Sequence, residues 1–161
     1  MMIINQKGLK NMKKKLMIID GHSILNRAFF AMPVFTNKEG EFTNAVYGFL
    51  SIFCRFYDEE KPDYVAAAFD LPYPTFRHEM YDEYKSTRRP MPDELRPQIP
   101  LLKNLLNKMN VGIFELPGYE ADDIIGTLSI RSKKSGLNCT IISGDRDLLQ
   151  LADDDVLIRI P

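Results

Sequence analysis

The chain has 161 residues, 45% of them hydrophobic and 27% charged, which suits a single domain with one buried core. A net charge of −1 excludes a protein that holds nucleic acid by its overall charge, so a polyanion must be met by a local patch. No apolar run approaches the length of a membrane-spanning helix, and Cys54 and Cys139 lack metal-ligand or CxxC spacing, so buried reduced thiols and a cytoplasmic location are expected.

Residues 1–15 carry five lysines and no acidic residue, and their apolar stretch is too short and wrongly placed for a secretory signal. Residues 1–14 are expected to be a disordered extension, with Met12 an alternative start. Leu16-Met17-Ile18-Ile19-Asp20 reads as a buried strand, followed by Gly21-His22-Ser23 and a helix over 24–32. Residues 33–42 read as a loop. Asn44 caps a helix to about Glu60, with Val46, Phe49, Leu50, Phe53 and Phe56 at core spacing. The second strand starts at Tyr64 and ends in Ala68-Phe69-Asp70.

Six of the ten prolines then fall between Pro72 and Pro100, a stretch that cannot continue a sheet. It interleaves Arg77, Lys85, Arg88 and Arg89 with Tyr73, Phe76, Tyr81 and Tyr84. A helical pattern resumes from about Asp93 to Met109, a short strand follows over 111–116, and Pro117-Gly118 turns the chain into Glu120-Ala121-Asp122-Asp123. That acidic group opens a helix that Gly136 ends. A strand over 139–143 runs into Asp145-Arg146-Asp147 and a short helix, and 156–160 form the last strand. Alternating strands and helices predict an α/β fold, with a mostly parallel central sheet flanked by helices. A final strand with no closing helix points to part of a longer protein.

In such a sheet Asp20, Asp70 and Asp145 gather at the edge where open α/β folds bind ligands, joined by Glu120, Asp122, Asp123 and Asp147. Two carboxylates about 4 Å apart repel by roughly 4 kcal/mol at an effective dielectric of 20, so the set demands a cation. Hard divalent ions with oxygen ligands, Mg2+ or Mn2+, suit it and point to phosphate chemistry. Glu120 and Asp123 share one helical face, while Asp122 points roughly 100° away. Each acid alone has an ordinary explanation as a turn residue, a cap or a partner of the helix dipole; their coincidence does not. Lysine and arginine in the proline-rich stretch supply phosphate contacts, and its aromatic rings can stack on unpaired bases. His22 and His78 have no partner at ligand spacing and read as ordinary packing residues.

The motifs Leu-Met-Ile-Ile-Asp20-Gly-His-Ser with Arg27, Ala-Ala-Phe-Asp70, Phe-Arg77, Tyr84-Lys85-Ser-Thr-Arg88, Met-Pro-Asp-Glu-Leu-Arg-Pro-Gln-Ile-Pro, Gly-Tyr-Glu120-Ala-Asp122-Asp123 and Ser-Gly-Asp145-Arg-Asp147-Leu-Leu-Gln-Leu carry a resemblance. Spread in order over 15–161, they resemble the 5′ nuclease domain at the N-terminus of bacterial DNA polymerase I, which belongs with phage 5′ exonucleases and flap endonucleases. The resemblance implies a PIN-like catalytic core over 15–161 with 71–92 as an arch-like segment. It implies a metal-dependent 5′-3′ exonuclease or flap endonuclease acting in replication and repair on DNA with a 5′ flap or 5′ end, or on an RNA primer. Asp20, Asp70, Glu120, Asp122 and Asp145 then surround the first of two Mg2+ or Mn2+ ions, Asp123 falls in the same cluster, and Asp147 turns toward the second. Lys85 and Arg88 match the basic pair at the foot of the arch, with Tyr84 placed to stack on a base and Arg27, Arg77 and Arg89 to meet DNA. Asp70, Asp122, Lys85 and Arg88 are the candidate catalytic residues. The family continues into two further aspartates and a helix-three-turn-helix module absent from these residues, and its parent can carry a polymerase. The second ion's site is therefore expected to be incomplete, and a non-catalytic DNA- or metal-binding fragment is the alternative reading.

Overall fold

The computed structural model describes residues 13–81 and 90–161. Five parallel strands lie in the order β3-β2-β1-β4-β5, as the alternating pattern predicts. They are β1 (Lys15–Asp20), β2 (Tyr64–Ala68), β3 (Gly112–Phe114), β4 (Asn138–Ile142) and β5 (Val156–Arg159). The helices are α1 (Gly21–Ala31), α2 (Asn44–Glu60), α3 (Phe76–Met80), α4 (Gln98–Lys108) and α5 (Ala121–Lys134), with a 3-10 turn over Arg146–Leu151.

The unbroken apolar run of β1 is what a strand covered on both faces requires. Side chains alternate across it, so Met17 and Ile19 pack with Leu25, Phe49, Phe53, Leu102 and Leu106 of α1, α2 and α4. Ile18 faces the other way, against Ile124 and Ile125 of α5 and Leu148. The result is a three-layer sandwich with β1 at its centre. From β1 the chain builds outward through β2 and β3, then returns to the other side of β1 for β4 and β5. The strand order therefore reverses between β1 and β4, the place where such sheets open a ligand crevice.

Helix ends account for several polar positions. Lys61 ends α2 in the left-handed region (φ 47°) with its N–H donating to Tyr57 O at 2.9 Å, and Pro62 prevents continuation. At the other end, fully buried Gln98 of α4 accepts from the N–H groups of Ala45 and Val46 at 2.8 and 3.2 Å. Its amide nitrogen donates to Asn44 Oδ1 at 2.9 Å, so α4 satisfies donors that α2 leaves open. Buried Glu60 accepts from Thr140 Oγ1 of β4 at 3.2 Å and from Arg159 Nε of β5 at 3.0 Å, tying α2 to the far half of the sheet.

One expectation is corrected. Cys139 is buried and its thiol is pushed up to about 11 by burial, but Cys54 is exposed. Phe49, Phe53 and Phe56 point α2 inward, and Cys54, about 100° further round, meets solvent. The proline-rich stretch also holds α3, where Thr75 and His78 form a reciprocal cap too short to register as a periodic pattern. No helix among the described residues is long and apolar enough to cross a membrane.

Gly21 follows Asp20 because nothing larger fits. A Cβ there would lie 2.3 Å from Cε1 of Phe69, a ring with no solvent exposure that immediately precedes Asp70. Gly21→Ala is expected to cost about 2 kcal/mol of stability through overpacking. Chemical denaturation of the variant checks this, and an unchanged midpoint would show that the ring has room to move.

Candidate metal centre

The strand-end acids converge. Asp20, Asp70, Glu120, Asp122 and Asp145 line one open cavity of about 950 Å³ at the C-terminal edge of the sheet. Asp20 closes β1 and caps α1, its Oδ1 accepting from the Ser23 N–H at 3.1 Å. Asp70 stands just past β2 and accepts from the Ala121 N–H at 2.8 Å, binding the strand end to the start of α5. Glu120 is the N-cap of α5, and Asp145 caps the turn after β4, accepting from the Asp147 N–H at 2.9 Å. The capping roles and the shared cavity coexist, because a carboxylate that accepts one backbone N–H keeps further lone pairs for other partners.

Burial, and after it the charges of neighbouring acids, shift two of these groups. Asp122 is pushed up from 3.8 to about 6, first by burial and then by the charges of Asp20, Asp145, Asp70 and Glu120. Burial also raises Asp20, against hydrogen bonds from Ser143 and the Ser23 backbone. Among the described residues no three acids, histidines or cysteines are drawn together as a ready-made cage. The donor set is all oxygen and anionic, which fits a hard divalent cation.

Two of the seven predicted acids lie elsewhere. Asp123 is held by Arg77 through paired hydrogen bonds of 2.7 Å each, and its Oδ2 also accepts from the Glu120 N–H at 3.0 Å. Spacing alone places Glu120 and Asp123 on one face; the structure turns that face toward Arg77, which also lies 3.6 Å from Glu120 Oε2. Arg77 therefore docks α3 onto α5. Asp147 is exposed and does not line the cavity. Arg27 is exposed on α1, its side chain passing near Gly144. Tyr84, Lys85, Arg88 and Arg89 lie outside the described residues.

Sequence reasoning missed the groups that hold the acids in place. Ser143, fully buried at the end of β4, donates to Asp20 Oδ2 at 2.6 Å and accepts from the Asp145 N–H at 2.9 Å. Ser23 Oγ accepts from the Gly144 N–H at 3.0 Å. His22 accepts the Asp70 N–H on Nδ1 at 3.1 Å and packs edge-on against Phe69. Arg96 and Lys103 bring two cations to the same cavity.

A three-layer sandwich whose parallel sheet opens at its switch point onto a cavity lined by five carboxylates defines an α/β protein suited to hold divalent ions. Its sequence matches the family described as "5′-3′ exonuclease, N-terminal resolvase-like domain" over residues 15–160, and the chain belongs to that family. DNA polymerase I of Caldicellulosiruptor bescii is 50% identical over 146 residues, covering 91% of this chain and 17% of that protein. DNA polymerase I of Bacillus caldotenax is 50% identical over 149 residues, again spanning 17% of its length. The fold is similar to that of bacteriophage T5 5′-exonuclease with bound zinc, at a TM-score of 0.65 and 22% identity over 89% of this chain and 54% of that one. It is equally similar to a T5 flap endonuclease complex with DNA and metal ions, with a TM-score of 0.64 and 22% identity over 90% of this chain and 54% of that one.

Proposed function

We propose that this chain is the catalytic part of a divalent-metal-dependent 5′ nuclease that hydrolyses DNA phosphodiesters. The single observation that carries the reading is the convergence of Asp20, Asp70, Glu120, Asp122 and Asp145 on one cavity at the sheet's switch point. These five would hold Mg2+ or Mn2+, with Asp147 turned toward a second ion. Such ions lower the pKa of an attacking water and steady the leaving oxygen of an in-line displacement. Asp70 and Asp122 orient that chemistry from neighbouring positions, the end of β2 and the first turn of α5. Lys85 and Arg88 bind the strand, Tyr84 stacks on a base near the cut, and Arg27 and Arg89 contact phosphates. In this reading Asp123 acts through Arg77, fixing the base of the arch over 71–92. DNA with a 5′ flap or 5′ end is the proposed substrate, an RNA primer a further one, and the cytoplasm the proposed location.

The test is cleavage of a 5′-flap DNA with Mn2+, comparing the chain with Asp70→Ala. Metal-dependent cutting that the substitution abolishes supports the reading. No cutting by either, with metal still bound, favours a non-catalytic fragment, the alternative suggested by a chain that spans 17% of its relatives' length. Mg2+ should also stabilise the fold, because it binds the native cluster and relieves its repulsion. At tenfold its dissociation constant the gain is about 1.4 kcal/mol, or roughly 4 °C for a chain of this size. A thermal melt with no shift at millimolar Mg2+ would count against the cluster as an ion site.

A further inference from the structure

We infer that Arg96 is a phosphate-binding residue of the cavity that the five acids line, gripping the DNA strand there; the inference rests on the nuclease reading above. An anionic phosphodiester entering a cavity lined by five carboxylates needs a cation beyond the ions it shares. Among the described residues that line this cavity, Arg96 and Lys103 are the two Lys or Arg side chains. Lys103 is already committed. It pairs with Glu115 and its Nζ lies 5.0 Å from the centroid of the Phe69 ring, with the side chain 23% exposed.

Arg96 is differently placed. Its side chain is 68% exposed and meets Asp93 Oδ1 at 4.0 Å, an acid itself 98% exposed, so the pair has little holding energy. The backbone beneath it is fixed. Leu95 and Gln98 on either side are fully buried, Gln98 clamps the start of α2, and the Arg96 N–H donates to Pro92 O at 3.2 Å. A rigid base carrying an uncommitted guanidinium is the arrangement that binds phosphate at low ordering cost, and the planar fork meets two phosphate oxygens at once. The sequence Glu94-Leu95-Arg96-Pro97-Gln98 thus divides its work between anchoring and binding.

The experiment measures binding of a short single-stranded oligonucleotide and a 5′-flap DNA in Ca2+, from about 50 to about 200 mM salt. Arg96→Ala is expected to weaken binding about tenfold and to flatten the salt dependence by roughly 0.7 in log–log slope on the single strand. Arg96→Lys should keep the slope while losing part of the affinity. Arg131→Ala, an exposed cation in the last turn of α5, should change neither. Equal weakening by Arg131→Ala would reduce the effect to net charge and overturn the inference. Unchanged binding by Arg96→Ala, with metal-dependent cutting intact in the parent chain, would overturn it and leave the nuclease reading standing. A parent chain that neither binds nor cuts DNA would remove both.

Discussion

Asp122→Asn is expected to stabilise the ion-free chain at pH 7.5 while reducing flap cleavage about a hundredfold or more, a loss of the size seen when one charge-stabilising group is deleted. The two effects share one cause. Asp122 is raised from 3.8 to about 6 by burial and by four neighbouring carboxylates. A carboxyl raised in the folded state contributes stability that is fully present below pH 3.8 and is lost as pH rises through about 6. At pH 7.5 the ionised group therefore strains the native state, by about 1 kcal/mol once solvent screening of this half-buried side chain is allowed for. Removing the charge should raise the melting temperature by roughly 3 °C in EDTA. The gain should shrink as pH falls to 5, where the native aspartate is already mostly protonated. Saturating Mg2+ should reverse the ranking, because the ion turns the same negative charge from a burden into a ligand. Melting curves of both proteins at two pH values, with and without Mg2+, check the sign. An asparagine variant less stable than the parent in EDTA at pH 7.5 would show that Asp122 is not under repulsive strain.

This trade places the acids in the class of residues kept for chemistry at the expense of stability. It also explains how much of the site was legible in the sequence. Asp20 and Asp70 announce themselves because each ends an apolar run, and a charge at the mouth of a buried strand has few structural uses. The α/β order follows from the same runs and from the helical spacing of Phe49, Phe53 and Phe56, and the family match over 15–160 agrees with it. The pairing of Arg77 with Asp123 was not legible, because helical spacing gives a shared face but not what that face meets 46 positions away. Ser143 and His22 were invisible for a similar reason. A buried hydroxyl or imidazole acquires its role from strands brought together by folding, and nothing local distinguishes it from a packing residue. Arg96 was hidden by its surroundings, one basic residue in a stretch of mixed charge whose direction only the buried anchors Leu95 and Gln98 define.

Ser143→Ala is expected to weaken Mn2+ binding by about ten- to a hundredfold, the usual cost of losing a group that orients a metal ligand. The hydroxyl serves two acids from two strands. It donates to Asp20 Oδ2 at 2.6 Å and accepts from the Asp145 N–H at 2.9 Å, in a position with no solvent exposure. Alanine leaves the Asp145 N–H without that acceptor and deprives a buried carboxylate of its strongest donor, a loss of about 1–3 kcal/mol in stability. Burial already raises Asp20, and the Ser143 hydrogen bond opposes that rise, so the variant's Asp20 should move further up and bind cations less readily near neutral pH. Since Ser143 has no solvent exposure and does not line the cavity, cleavage at saturating Mn2+ should recover most of the parent rate. A merely structural role would lower the melting temperature in the same way but leave the titration unchanged. Calorimetric titration with Mn2+ beside a thermal melt separates the two outcomes, and affinity equal to the parent's would break the proposed link between β4 and the acid on β1.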